Sequence, residues 1–181
     1  MEDRVIITPY DPAWPEMFAR LGATLRQALG DVALRIDHIG STSIPGLAAK
    51  PVIDVQISVA SFEPLDAFRI PLEGLGLVFR SKNPDLTKRY FREAPEQRRT
   101  HIHVRRMGSW PQQFALLFRD YMRIHNEDAA RYAALKYKLA EQYGEDGLGY
   151  TDAKAPLIWE IMTRADEWGQ SIGWEPGSSD A

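Results

Sequence analysis

A chain of 181 residues, 44% hydrophobic and 26% charged, has the composition of a folded globular protein and excludes a disordered or fibrous one. Its formal net charge of -3 argues against general nucleic-acid binding, which needs a net basic surface, while leaving room for a locally basic cleft. With no cysteine, disulfides and thiolate metal sites are excluded; with no signal pattern at Met1 to Arg4 and no apolar run near the roughly 18 residues that span a bilayer, no membrane association is expected and the expected compartment is the cytoplasm.

Arg4 to Thr8 reads as a short strand broken by Pro9. Asp11 then fits a helix N-cap with Pro12 at the first helical position, and Trp14, Phe18, Leu21, Leu25 and Leu29 follow at helical spacing until Gly30. Ala33 to Ile39 and Val52 to Val59 read as strands, separated by the small-residue segment Gly40 to Pro51. Phe62 to Leu72 predicts a helix ended by Pro71. Leu75 to Arg80, Lys88 to Ala94 and Thr100 to Arg106 predict three more strands. From Trp110 the pattern turns helical: Pro111 to His125, then a helix capped by Asn126, a loop from Gly144 to Gly149, and a final helix from Thr151 to Trp168 with a frayed tail from Gly169. The expected fold is α+β: a core over residues 1–109 built on a mixed sheet of about five strands with flanking helices, and a C-terminal helical segment over 110–181 packed on it as one compact unit.

Strand alternation sorts the chemistry. Asp54, Gln56 and Ser58 share one face of their strand and Ile53, Val55 and Ile57 the other; His101, His103 and Arg105 likewise oppose Ile102 and Val104. If the two strands are neighbours, a carboxylate and two imidazoles share a cleft; the bland alternative is a solvated sheet face. Asp54 with both histidines forms a candidate site for Zn²⁺ or Mn²⁺, for which mixed carboxylate and imidazole ligation is natural. Gly40, Ser41, Thr42 and Ser43 invite a phosphate-cradle reading, because small residues let backbone N–H groups approach an anion and hydroxyls add donors; by composition alone such a segment is more often a plain turn.

The run from His38 to Asp54, His-Ile-Gly-Ser-Thr-Ser-Ile-Pro-Gly-Leu-Ala-Ala-Lys-Pro-Val-Ile-Asp, closely resembles the hallmark of the GrpB proteins. Further blocks follow at Arg99 to Val104, Phe118 to Tyr121, Tyr132 to Lys136 and Tyr150 to Lys154, so the likeness runs from about Val5 to Ala165. The resemblance implies a nucleotidyltransferase superfamily fold, in which Gly-Ser opens a helix beside the sheet and carboxylates on the next strand hold divalent metal (Mg²⁺, Mn²⁺ or Zn²⁺) against a nucleoside triphosphate. It also implies an association with dephospho-coenzyme A kinase, to which a similar domain is fused in some proteins as an accessory to folding. Active members of the superfamily use two carboxylates two residues apart plus a third on a later strand. Here Asp54 matches the first, Gln56 stands at the second, and His101 or His103 falls at the third. Gln56 can hydrogen-bond a metal-bound water but brings no charge. Lys50, Arg119, Lys136 and Lys154, each in or beside a family-like block, are the cationic candidates for phosphate, with helix-surface ion pairs as the alternative for the last three. Three functions follow: a nucleotidyltransferase acting on a small acceptor with Asp54 as its catalytic metal ligand; a non-catalytic module that binds a nucleotide or phosphorylated metabolite and acts through a protein partner; and a metal-dependent hydrolase or transferase built on Asp54, His101 and His103.

Overall fold

The computed structural model describes residues 4–181; Met1 to Asp3, at the head of the expected 1–109 core, lie outside the described residues. A mixed sheet carries five strands: β1 (Arg35–Ile39), β2 (Ile53–Val59), β3 (Val78–Phe79), β4 (Lys88–Arg92) and β5 (Thr100–Arg106). Their spatial order is β1-β2-β5-β4-β3, with β2 and β5 parallel and every other pair antiparallel. The parallel pair is the centre of the sheet and sets the site, because its register places Asp54 beside His101 and Gln56 beside His103.

One face of the sheet is the main core. Ile53, Val55 and Ile57 of β2, Ile102 and Val104 of β5 and Phe91 of β4 pack against Trp14, Phe18, Leu25 and Leu29 of α1 (Trp14–Leu29) and Phe68 and Leu72 of α2 (Asp66–Gly74). On the other face α3 (Trp110–Ile124) lies against β1 and β5, α4 (Asn126–Tyr143) and α6 (Ala155–Ile172) pack on α3, and α5 (Gly147–Ala153) packs on α4 and α6. These have their own apolar cluster, in which Leu117, Tyr121 and Met122 of α3 meet Ile161, Met162 and Ala165 of α6 and Ile44 and Leu47 of the segment between β1 and β2.

Several boundaries depart from the sequence reading. Arg4 to Thr8 is not a strand; Thr8 makes a single bridge to Ala49. Asp11 accepts a hydrogen bond from Ala13 N, but α1 starts at Trp14 with Pro15 in its first turn, where a missing N–H costs nothing. Pro71 lies inside α2, held by burial of Phe68 and Leu72 on either side. The strand expected over 75–80 shrinks to two residues because only β4 is there to pair with it. Asn126 begins α4 without capping it. The expected loop at Gly144 becomes α5 from Gly147 on, since the Asp146 side chain accepts from Gly149 N and caps it; seven residues are too few to show an apolar stripe. The expected helix from Thr151 is therefore two, broken at Lys154, with Pro156 in the first turn of α6. The tail is not frayed. Gly173 closes α6 in the left-handed region at φ 65°, and the chain then runs beside β1, with Ala181 N donating to Ile36 O, Ile36 N to Ser179 Oγ and His38 N to Asp180 Oδ2.

Candidate functional site

Asp54 is the third carboxylate-bearing position reached by the chain after α1 and the first on the central strand pair, and its environment is made by three neighbouring segments. His101 Nδ1 lies 3.1 Å from Asp54 Oδ1 and His103 Nε2 lies 3.4 Å from the same oxygen. Gly40, at φ +70°, presses on the other side; a Cβ there would come within 2.6 Å of Asp54 Oδ2. Only glycine fits both that backbone conformation and that gap. Tyr90 of β4, opposite His103 in register, lies against both imidazoles at ring distances of 5.7 and 5.2 Å.

The electrostatics suit a metal ligand set. Burial pushes the Asp54 carboxyl up, but the hydrogen bonds and charges of His101 and His103 outweigh it and hold the group well below the usual carboxylate range. Burial drives His103 down to about 4 against the opposing pull of Asp54, so at neutral pH it is the uncharged imidazole that metals bind. One donor atom from each of Asp54, His101 and His103 lies within 4.8 Å of the others. Bonds of roughly 2.0 to 2.1 Å in a tetrahedron put ligand atoms about 3.3 Å apart, close to the 3.1 and 3.4 Å separations seen. Two imidazoles and one carboxylate fit Zn²⁺ or Mn²⁺ better than Mg²⁺, which prefers oxygen ligands.

Beside this triad opens a cavity of about 450 Å³ lined by Ser41, Thr42, Lys50, Asp54, Lys88, Tyr90, His101, His103, Lys136, Tyr150, Thr151 and Lys154 among others. Among the described residues that line it, Asp54 alone is acidic and four are lysines. Lys136, buried on α4, donates to Ser41 Oγ at 3.2 Å and to Ala48 O and sits over the Tyr132 ring; burial, then the nearby Lys154, lower its pKa to about 7. Lys154 falls to about 8 through burial and then Lys50, against the pull of Asp54. Lys50 and Lys154 both rest on the Tyr150 ring, 4.3 and 4.4 Å from its centre. Lys88 is 3.7 Å from Asp85 and is also lowered, by burial and then Arg105.

The structure thus brings together Asp54, His101, His103, Ser41, Thr42, Lys50, Lys136 and Lys154, with Gly40 as the backstop. Three expectations need correction. Arg119 does not line the cavity: its guanidinium is buried and donates to His38 O, Asp120 Oδ1 and Asp180 Oδ2. Ser43 is turned inward, donating to Gly40 O at 2.6 Å, and Gly40-Ser41 opens a single 3₁₀ turn, Ser41–Ser43, instead of an α-helix. Gln56 is fully buried: its amide donates to Gln112 O on α3 at 3.1 Å, while its Oε1 has no hydrogen-bond partner among the described residues. The sequence reading missed Lys88, Tyr90, Tyr132 and Tyr150. Alternation of Lys88 and Tyr90 against Phe91 on β4 was a usable signal for the first two, and the two tyrosines head blocks already noted as family-like.

The mixed five-stranded sheet with its helices is an α+β fold of the nucleotidyltransferase type: it aligns over 76% of the chain, and 44% of the other, with the Cid1 poly(U) polymerase bound to MgATP, at a TM-score of 0.51 and 11% identity, a likeness of fold alone. The GrpB protein family model matches residues 4–164, and the chain belongs to the GrpB family. It superposes on the crystal structure of the conserved protein GrpB from Enterococcus faecalis with a TM-score of 0.80 at 34% identity, over 90% of this chain and 99% of that one. A UPF0157 protein of Pseudomonas aeruginosa is 38% identical over 91% of this chain and 69% of its own length. A dephospho-CoA kinase of Mycolicibacterium paratuberculosis is 35% identical over 95% of this chain, which spans 48% of that protein.

Proposed function

We propose that this protein binds a nucleoside triphosphate with one divalent transition metal and transfers the nucleotidyl group to a small acceptor. The observation that carries this reading is the convergence of Lys50, Lys88, Lys136 and Lys154 on the cavity that also holds the Asp54, His101, His103 triad. A bound metal would polarise the phosphate oxygens at the reacting phosphorus. Asp54, His101 and His103 would hold it. The lysines do what a second metal does elsewhere: they neutralise the triphosphate and stabilise the charge that grows on departing pyrophosphate. Ser41 orients the chain of phosphates from the cradle side. The acceptor oxygen or nitrogen bonds to the α-phosphorus, the bond to the pyrophosphate oxygen breaks, and the acceptor's proton passes to water.

A second reading is favoured by one specific observation. Gln56 is sealed under α3, so the strand supplies one accessible carboxylate only, which suits a module that binds a nucleotide or phosphorylated metabolite without turnover and acts through a protein partner, as an accessory in the dephospho-CoA kinase relative would. Calorimetry with ATP and Mn²⁺ or Zn²⁺, paired with a pyrophosphate-release assay across hydroxyl and amine acceptors, separates the two. Metal-dependent binding lost in Asp54→Ala, with release, supports the enzyme; binding without release in any acceptor supports the module; no binding of ATP by the wild type removes both.

A further inference from the structure

A second cleft, of about 460 Å³, meets the triad from another side. It shares Gly40, Asp54 and His103 with the site, but its walls are aromatic. Trp110 opens α3, Phe114 and Phe118 follow it at four-residue steps on the same helix face, and Trp159 comes from α6. Phe114 stands edge-on to Trp110 at 5.8 Å and to Trp159 at 5.5 Å. Both tryptophans are large, and both are left more than half exposed, at 62% and 57%. In contrast with the lysine-lined cavity, no lysine lines this cleft among the described residues; Asp85, Thr87 and Arg105 supply its polar rim.

We infer that this cleft binds a planar aromatic ring of the substrate, seated against Trp110, Phe114 and Trp159 with its reacting end at Asp54 and His103. The inference rests on the proposed reading of the lysine-lined cavity as a triphosphate site. Two arguments point to a ring instead of a peptide or a second copy. The cleft is continuous with the ligand set of the triad, so its occupant meets the reacting atoms. Edge-to-face aromatic walls present both ring faces and ring edges, the surfaces on which a flat π-system stacks. In-line displacement at phosphorus also requires the attacking group and departing pyrophosphate on opposite sides, and the lysines and the aromatic walls meet the triad from different sides. The ring belongs either to the nucleotide's base or to the acceptor.

The test uses the full chain with Mn²⁺ and four probes: ATP, inorganic tripolyphosphate, adenosine and tyramine, in the wild type, the double variant Trp110→Ala with Trp159→Ala, and Trp159→Leu, which keeps apolar area but loses the ring. Because both tryptophans are half exposed, their truncation leaves the cores intact, and an unchanged melting temperature verifies it. If the ring is the base, ATP and adenosine weaken roughly ten-fold or more in the double variant while tripolyphosphate does not. If it is the acceptor's, tyramine weakens and ATP does not. In both cases Trp159→Leu weakens the same probe. Unchanged affinity for ATP, adenosine and tyramine in the double variant overturns the inference, as does a wild-type dimer in sedimentation that the double variant abolishes. Failure of tripolyphosphate to bind the wild type instead removes the underlying triphosphate reading.

Discussion

Two halves of one strand face have opposite fates. On β2, Asp54 looks into a solvent-connected cavity, while Gln56 and Ser58, two and four residues further along the same face, are fully buried beneath α3. The difference comes from Gln112, whose backbone carbonyl receives the Gln56 amide and whose side chain donates to Ser58 Oγ at 3.2 Å and accepts from Gly108 N. A polar strand face is thus not by itself a site. It becomes one only where the covering helix stops short, and there the neighbouring segments supply cations instead of amides.

The sharpest way to break this comparison is to put a carboxylate on the sealed half. Gln56→Glu restores the spacing of the two-carboxylate pattern, yet the new charge would be buried beneath α3 opposite the buried Asp37, which already engages Arg35, and a loss of about 4 kcal/mol in urea unfolding is expected. A stable Gln56→Glu protein that takes up a second equivalent of Mn²⁺ would show that the sealed half opens.

A second effect concerns the core face behind the site. His38 is stacked on Phe18 at 4.7 Å, and its Nε2 faces Thr42 Oγ1 at 3.0 Å. Since that hydroxyl donates to Val52 O, it has only acceptor capacity left, so the neutral ring carries its proton on Nε2. Burial lowers the His38 pKa to about 4, below its unfolded value of roughly 6.5. The unfolded chain therefore binds the extra proton between those values: the stability due to a neutral His38 is complete above pH 6.5 and is lost as pH falls toward 4, by up to about 3 kcal/mol. His38→Gln should flatten that part of the stability profile measured by denaturant titration.

At the open half, Asp54→Asn removes the one charged ligand of the triad. Metal affinity should fall about 100-fold or more with little change in melting temperature of the metal-free protein, read by calorimetry and thermal unfolding; equal metal affinity would shift the ligand assignment away from β2. The smallest effect belongs to the lysines. Lys154→Met should weaken tripolyphosphate about ten-fold. Because Lys136 and Lys154 lie near 7 and 8, wild-type affinity for that anion should rise as pH is lowered through 8 to 7, with proton uptake on binding; a flat profile over that range would mean that neither ammonium meets the phosphates.

Alternation made Asp54 and the histidine pair legible, and β5 coincides with its expected span because six residues of alternation from Thr100 to Arg105 admit few other readings. Pairing was the hidden variable. Nothing local says that β5 lies beside β2, so Tyr90 and Lys88, on the strand next to β5, could not be placed at the triad. Arg119 looked like a phosphate ligand because a guanidinium in a family-like block has two equally natural partners, a phosphate or a carboxylate; here Asp120 and Asp180 take it, and Asp180 sits in a tail that carries no periodic signal at all. Gln112 was invisible for the same reason, being one amide on a helix whose docking position depends on tertiary packing.

That tail has a consequence for how the molecule meets others. An unprotected outer strand is a template on which a foreign chain can continue a sheet. At one border of this sheet Ser179, Asp180 and Ala181 already occupy backbone groups of Ile36 and His38, and at the other the strand is only Val78 and Phe79. Among the described residues neither border offers a long free strand to a neighbour, so a protein that docks here has to recognise side chains and cavity shape, not borrow backbone.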